Sequence, residues 1–473
     1  MATRTKFSGL SAVQRAEALL DKGTFEPLSG VAADSPLVVG SGLLARQPVL
    51  VALTDGHVRG GTIGVRESSI LARLADSAVT SEVGGRRPVA LIVAFDTGGV
   101  RVEEGPIALA AASAVGVALA RLTLLGVHVA SVISGPRGCF GAPAVMAALP
   151  EHIIMTRDAQ WGLTGPKLLG GILDGAAAEQ EGFAATSSST RLGNGDAHAV
   201  VADDAGAIRA PLRAFVTGLG ANATPLSLEE RIAHSADVAA ALQRRLQPSV
   251  EPAPRALRRR DLLRYSFRGQ WKPTGPVQRV GLVHAALGRL GGRRALGLII
   301  GPEETPRGGV GIEEAAVITS MIAHAVRPGP DDRSPILTFL FCQGHAVDYA
   351  QERFGLPRAL AECLRAMVAA RLLGHPIVSV LGGGTYGAAY LALAAPSHRI
   401  LAMRGTSVAP MAPRVLKAFQ QLRGTKAGQE AETQLAELIP EIRMVESVIR
   451  LPRVLREELT TLLETVRPEV NAA

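Results

Sequence analysis

Val89-Ala90-Leu91-Ile92-Val93-Ala94-Phe95-Asp96-Thr97-Gly98-Gly99-Val100-Arg101 decides the fold: an apolar run ends abruptly in a glycine turn. An uninterrupted run bounded by turn residues reads as a strand buried on both faces. A small-residue helix follows over Pro106 to Leu125, then a second strand over Val127 to Ser134. A second turn, Gly135-Pro136-Arg137-Gly138-Cys139-Phe140-Gly141-Ala142, opens another helix. Two such corners in succession bring together backbone N–H groups at helix N-termini, which favour a negative oxygen. Gly98, Gly99, Gly138 and Gly141 let the main chain approach a ligand closely.

The same order recurs later in the chain. From Gly99, the first copy places Gly126, Gly135, Gly141 and His152 at +27, +36, +42 and +53. From Gly344, the second places Gly374, Gly382, Gly387 and His398 at +30, +38, +43 and +54. This repeat predicts a tandem of two βαβ-type domains with right-handed crossovers. Around it, the patterning predicts a helix over Ser11 to Asp21, strands over Pro48 to Thr54 and near Val58, and a helix through Leu71 and Leu74. Gly170 to Asp196 reads as a loop, either a mobile active-site loop or an ordinary surface loop, the surface loop being favoured, and helix is expected again over 196–225. In the second copy the expectations are helices over Gln278 to Leu290 and Glu313 to Ala325, strands over Ala295 to Ile300 and Pro335 to Phe341, and a helical tail over Lys417 to Val466. Pro248, Pro252, Pro254 and the arginine-rich stretch from Arg255 to Arg268 mark a linker. The expected division is 1–225, a linker over 226–276, and 277–473.

With 473 residues, 47% of them hydrophobic, 52 Gly and 29 Pro, the chain can bury a large core in a loop-rich α/β fold. Aromatics are 4%, too few for base-stacking platforms, so the net charge of +8 does not point to nucleic acid. It suits an acidic partner such as coenzyme A or a phosphopantetheine-bearing carrier, or simply a solvated positive surface. The three cysteines never form CxxC, which excludes a disulfide framework and a zinc ribbon. The N-terminus has no apolar signal core, and the uncharged run Gly105 to Ala120 is short for a membrane span, so a cytoplasmic protein with no membrane partner is expected. The histidines, His345 and His398 among them, lack ligand spacing, and no metal is expected. Cys139 admits two readings, a thiol activated at a helix N-terminus or a small buried residue.

Three stretches of the first half, Leu19-Leu20-Asp21-Lys22-Gly23-Thr24-Phe25, Asp96 to Glu104 and Gly135 to Gly141, resemble the β subunit of the biotin-independent malonate decarboxylases, in the carboxyltransferase branch of the crotonase superfamily. Cys342-Gln343-Gly344-His345-Ala346, the helix from Leu356 to Leu373 and Gly374-His375-Pro376-Ile377 resemble the γ subunit. The resemblance implies a fused β–γ protein: α/β class, with tandem crotonase-like (ββα-spiral) carboxyltransferase domains. It implies a malonyl thioester on the phosphopantetheine-type arm of an acyl carrier protein subunit, or on coenzyme A, which loses carbon dioxide to leave acetyl. No cofactor would be held covalently, and the protein would form a homo-oligomer with the carrier as partner. Backbone N–H groups of Gly98, Gly99 and Val100 and of Phe140, Gly141 and Ala142 would hold the enolate oxygen; Arg101, Gly138, Cys139 and Gly165 would contact the arm. The turn Gly382 to Ala388 also resembles the biotin-side turn of acyl-CoA carboxyltransferases. That keeps open a biotin-dependent carboxyltransferase, and a catalytically silent crotonase-fold scaffold is the third reading.

Overall fold

Ala90–Phe95 is a strand with all six residues buried, in the middle of a seven-stranded sheet. The computed structural model describes residues 5–28, 34–173, 176–219, 226–246, 271–301, 309–326, 333–423, 439, 442–445 and 450–469. Along the first sheet run Glu26–Pro27, β1 (Leu37–Leu44), β2 (Gln47–Thr54), β3 (Ala90–Phe95), β4 (His128–Ile133), β5 (His152–Thr156) and β6 (Ala199–Val201). β1 and β2 form an antiparallel hairpin, and every pairing from β2 onward is parallel, with Val51 opposite Ile92 and Ile92 opposite Ala130. The second half repeats this plan in an eight-stranded sheet. Trp271–Pro273 precedes the hairpin β7 (Val283–Leu290) and β8 (Arg293–Ile300), which Gln278–Val280 flanks; parallel strands β9 (Ile336–Leu340), β10 (Ile377–Leu381), β11 (Arg399–Met403) and β12 (Ile442–Val445) follow.

Helices α1 (Ala12–Leu19), α2 (Val65–Ser77), α3 (Gly105–Leu124), α4 (Ala142–Ala148) and α5 (Leu228–Arg245) precede the second sheet; α6 (Ile312–Ala325), α7 (Tyr349–Arg353) and α8 (Leu356–Leu372) lie within the second half. The small side chains of α3 allow close packing against α2 on one side and α8 of the other half on the other. One apolar cluster therefore runs through both halves, from Leu91, Leu119 and Val145 to Leu298, Leu364 and Leu391. Smaller clusters fill the outer face of each sheet. Val102–Leu124 is longer than its uncharged run suggests: by length and composition alone it could cross a membrane, yet most of it is buried in this shared core.

The α/β expectation with two parallel-stranded halves holds, while several local expectations do not. Gln278 to Leu290 is not a helix: Gln278–Val280 and Val283–Leu290 are antiparallel strands joined by a turn, and the second pairs along its length with β8. No strand forms near Val58, whose segment is a turn. Gly170 to Asp196 is largely helical (Pro166–Leu173, Ala176–Thr186, Ser188–Gly193), as its alanine content permits once there is a face to pack on. The expected linker begins too early, since α5 packs against α6 and α8. Arg255 to Arg268 lie outside the described residues. The tail combines helix Pro413–Arg423, strand β12 and helix Leu451–Thr465.

Candidate active site

The two first-half turns meet. A Cβ on Gly99 would lie 3.4 Å from the Phe140 carbonyl oxygen, and one on Gly141 would lie 3.8 Å from Gly99 Cα. Gly99 and Gly141 have φ of 117° and 67°, which side-chain-bearing residues rarely adopt. Three of the six N–H groups expected to face a ligand are already engaged. Gly98 N–H donates to Gly60 O (3.0 Å), Gly99 N–H to Thr97 Oγ1 (3.1 Å) and Gly141 N–H to Leu163 O (3.0 Å). Ile63 brackets Val100, donating to Gly99 O and accepting from Arg101 N–H, so the Val100 N–H points the other way. Ala142 opens α4, where a helix leaves its first N–H groups unpaired. Among the described residues no acceptor meets the N–H of Val100 or Ala142, and both residues line a cavity of about 710 Å³ between the halves.

The other wall is the repeat of the same device. Gly344 (φ 112°) lies 3.3 Å, from a built Cβ, from the Tyr386 carbonyl oxygen, as Gly99 lies against Phe140. Val310 brackets His345 just as Ile63 brackets Val100. Gln343, Gly344, His345, Gly387 and Ala388 line the cavity, so the second-half turns belong to the site. His345 lacks ligand spacing in the sequence, yet the register that equates Gly344 with Gly99 equates it with Val100. Its Nε2 lies 3.2 Å from Thr164 Oγ1 of the first half, and burial holds the imidazole down at about 4, in the neutral form. Arg137, Lys167 and Arg414 bring positive charge to the cavity lining.

Three of the expected arm contacts are elsewhere. Arg101 pairs with Glu67 (3.2 Å) and Glu104 (2.6 Å), and these carboxylates hold the Gly64 and Val65 N–H groups at the start of α2. It braces a helix and does not line the cavity. Cys139 is fully buried and burial pushes its thiol well above the usual range, which removes the activated-thiol reading. Gly138 lies against Gln160 O, where a Cβ would come within 2.2 Å. Gly165 does line the cavity.

Two buried carboxylates that no local sequence signal marked hold the turns. Asp96 is fully buried; its Oδ2 accepts from Arg15 (3.0 Å) and Gly56 N–H (3.3 Å), and its Oδ1 accepts from Arg137 N–H in the second turn (3.1 Å). Glu352, also fully buried, crosses from the second half to take the Leu163 N–H (3.0 Å) and the Thr164 N–H (2.7 Å), with Arg191 at 3.9 Å. Burial pushes its carboxyl up to about 7, against the opposing pull of Arg191 and the two N–H donors.

Paired glycine turns on two parallel-stranded halves around one cavity define a carboxyl transferase domain, and the model of that family matches residues 8–447. The chain belongs to the carboxyl transferase domain family. It is similar to the malonyl-S-ACP:biotin-protein carboxyltransferase of Malonomonas rubra, 29% identical over 188 residues that make up 34% of this chain and 59% of the relative. It is also similar to the acetyl-coenzyme A carboxylase carboxyl transferase subunit beta 1 of Lactiplantibacillus plantarum, 26% identical over 183 residues, 34% of this chain and 66% of the relative. The chain thus spans less than two thirds of the length of either. Among solved structures, a Pseudomonas malonate decarboxylase MdcD-MdcE hetero-dimer matches at 32% identity, over 50% of this chain and 96% of that chain, with a TM-score of 0.42. The transcarboxylase 12S hexamer matches at 19% identity, over 97% and 90%, with a TM-score of 0.39.

Proposed function

We propose that the cavity binds a malonyl thioester and that the Val100 and Ala142 N–H groups hold its carbonyl oxygen while the chain removes the carboxyl group. The observation that carries this reading is the pair of unspent N–H donors at two touching turns. As the carbon–carbon bond breaks, its electron pair moves to the thioester carbonyl and carbon dioxide leaves. The resulting enolate oxygen sits between the two donors; the α-carbon then takes a proton from solvent, leaving acetyl thioester. One such donor is typically worth about a hundred- to a thousandfold in rate. The thioester is carried on an acyl carrier protein subunit, the partner in this reading, or on coenzyme A, and Arg137, Lys167 and Arg414 supply positive charge for the phosphorylated arm. A fused β–γ malonate decarboxylase acting as a homo-oligomer in the cytoplasm is the fullest form of the proposal. Three free cysteines are in keeping with that compartment.

The matched second-half turns favour one rival, a carboxyltransferase that moves the carboxyl group to or from biotin. A second corner on the same cavity can take a second carbonyl-bearing reactant. The deciding experiment is carbon dioxide release from malonyl thioester, on carrier protein and on coenzyme A, with biotin and bicarbonate absent. Release supports decarboxylation, release only with a biotinylated acceptor supports carboxyl transfer, and none in either condition leaves the scaffold reading.

A further inference from the structure

We propose that Glu352 is a positioning residue for the first-half oxyanion corner: a second-half carboxylate that fixes the segment on which that corner rests. The inference rests on the enolate reading above and names what sets its geometry. Leu163 is the link. Its carbonyl takes the Gly141 N–H at 3.0 Å, and its own N–H donates to Glu352 Oε2 at 3.0 Å. Gly141 is the residue whose left-handed conformation turns the chain into α4 and presents the Ala142 N–H. The next residue, Thr164, gives its N–H to Glu352 Oε1 at 2.7 Å and its hydroxyl to the pair with His345. Both carboxylate oxygens are thus committed to the first-half main chain.

The fit is built from both sides. Gly162 lies against the carboxylate, where a Cβ would come within 2.8 Å of Oε2, so any larger residue would push Glu352 away. Arg191, itself buried, stands behind Glu352 while its guanidinium donates to the Trp161 carbonyl at 2.8 and 3.0 Å and lies over the Trp161 ring. Burying a carboxylate is costly unless both oxygens are satisfied, and here two main-chain donors do so in the segment that adjoins the cavity. A displacement of about 1 Å at a reacting group can cost on the order of a hundredfold in rate. The first-half corner is therefore incomplete without the second half.

Glu352→Gln keeps the volume but sets an amide NH2 against one of the two N–H donors. Asp348→Ala is the control, since Asp348 caps the same short helix through the Ala350 and Gln351 N–H groups. The two variants are compared at matched thermal stability for kcat and KM with malonyl-coenzyme A, and for amide exchange in peptides covering residues 139–143 and 161–165. Glu352→Gln is expected to lower kcat about 10- to 100-fold with KM changed less than about threefold, and to accelerate exchange in both peptides, while Asp348→Ala does neither. Equal kcat in Glu352→Gln and wild type, or equal losses in both variants, overturns the proposal. If wild type releases no carbon dioxide, the enolate reading fails by itself. The exchange data then decide the clasp: faster exchange confined to Glu352→Gln sustains it, and unchanged exchange ends it.

Discussion

In the first half, the second turn opens with Gly135 against the Asp96 side chain, where a Cβ would come within 2.3 Å of the carboxylate. At the corresponding point of the second half, Gly382 lies against the Phe341 ring, within 2.2 Å of Cε1. Asp96 and Phe341 occupy the same place, three residues before Gly99 and Gly344. The one is a buried anion tied to Arg15, to Gly56 and to the second turn; the other is a half-buried ring that has packing and nothing directional. Hydrogen bonds to a charged group fix direction, and apolar contact fixes distance only loosely. The difference teaches that one backbone device can be held rigidly in one copy and loosely in the other.

The largest expected effect is at Asp96. Asp96→Ala leaves Arg15 charged and buried with the Gly56 and Arg137 N–H groups unmet, and should cost about 3–5 kcal/mol in denaturant unfolding. Phe341→Ala should cost about 2 kcal/mol, since the ring is only partly buried; equal costs would break the comparison. Next is Ala142→Pro, which deletes one donor at the first helical position, where proline is tolerated. Carbon dioxide release should fall about a hundred- to a thousandfold while stability changes by less than about 1 kcal/mol. The second-half counterpart, Ala388→Pro, should spare that release; a matching loss there would show that both corners serve the same step.

A smaller effect is expected at the glycines. Gly135→Ala meets a fixed carboxylate at φ 82° and should cost about 2–3 kcal/mol, whereas Gly382→Ala, at an ordinary φ, needs only the Phe341 ring to swing and should cost under about 1 kcal/mol. A pH effect is expected on the second half. Burial, with Arg371 and Arg399, holds His398 down at about 3, and its Nδ1 accepts the Ile377 N–H at 3.2 Å. A histidine depressed on folding contributes stability that is present above its unfolded value near 6.5 and is lost as pH falls from there toward 3. His398→Gln should therefore flatten the decline in stability between pH 6.5 and 4, read as unfolding midpoints against pH. An unchanged slope would remove His398 from the acid response.

The glycine spacing made both halves and both pairs of turns legible, because positive φ confines positions such as Gly99 and Gly344 to glycine whatever surrounds them. The donors were legible only as a group: choosing Val100 and Ala142 over Gly98, Gly99 and Gly141 requires knowing where each N–H already goes. The helix expected over Gln278 to Leu290 fails because Ala and Leu carry no strand signal, and the β8 partner supplies the pairing that overrides propensity. Glu352 could not have been found, since the main-chain groups it holds are 188 and 189 residues away in the chain.

The placement of α5 also sets an order of events during synthesis. The helix is made before the two helices it packs against, and its buried residues Leu228, Ile232, Ala239 and Leu242 belong to the layer formed with α6 and α8. At roughly 5–20 residues per second, those partners reach the ribosome exit on the order of ten seconds later. The nascent chain carries an uncovered greasy stripe through that interval, which makes α5 the natural handhold for a chaperone and the first place where two half-made copies would stick together.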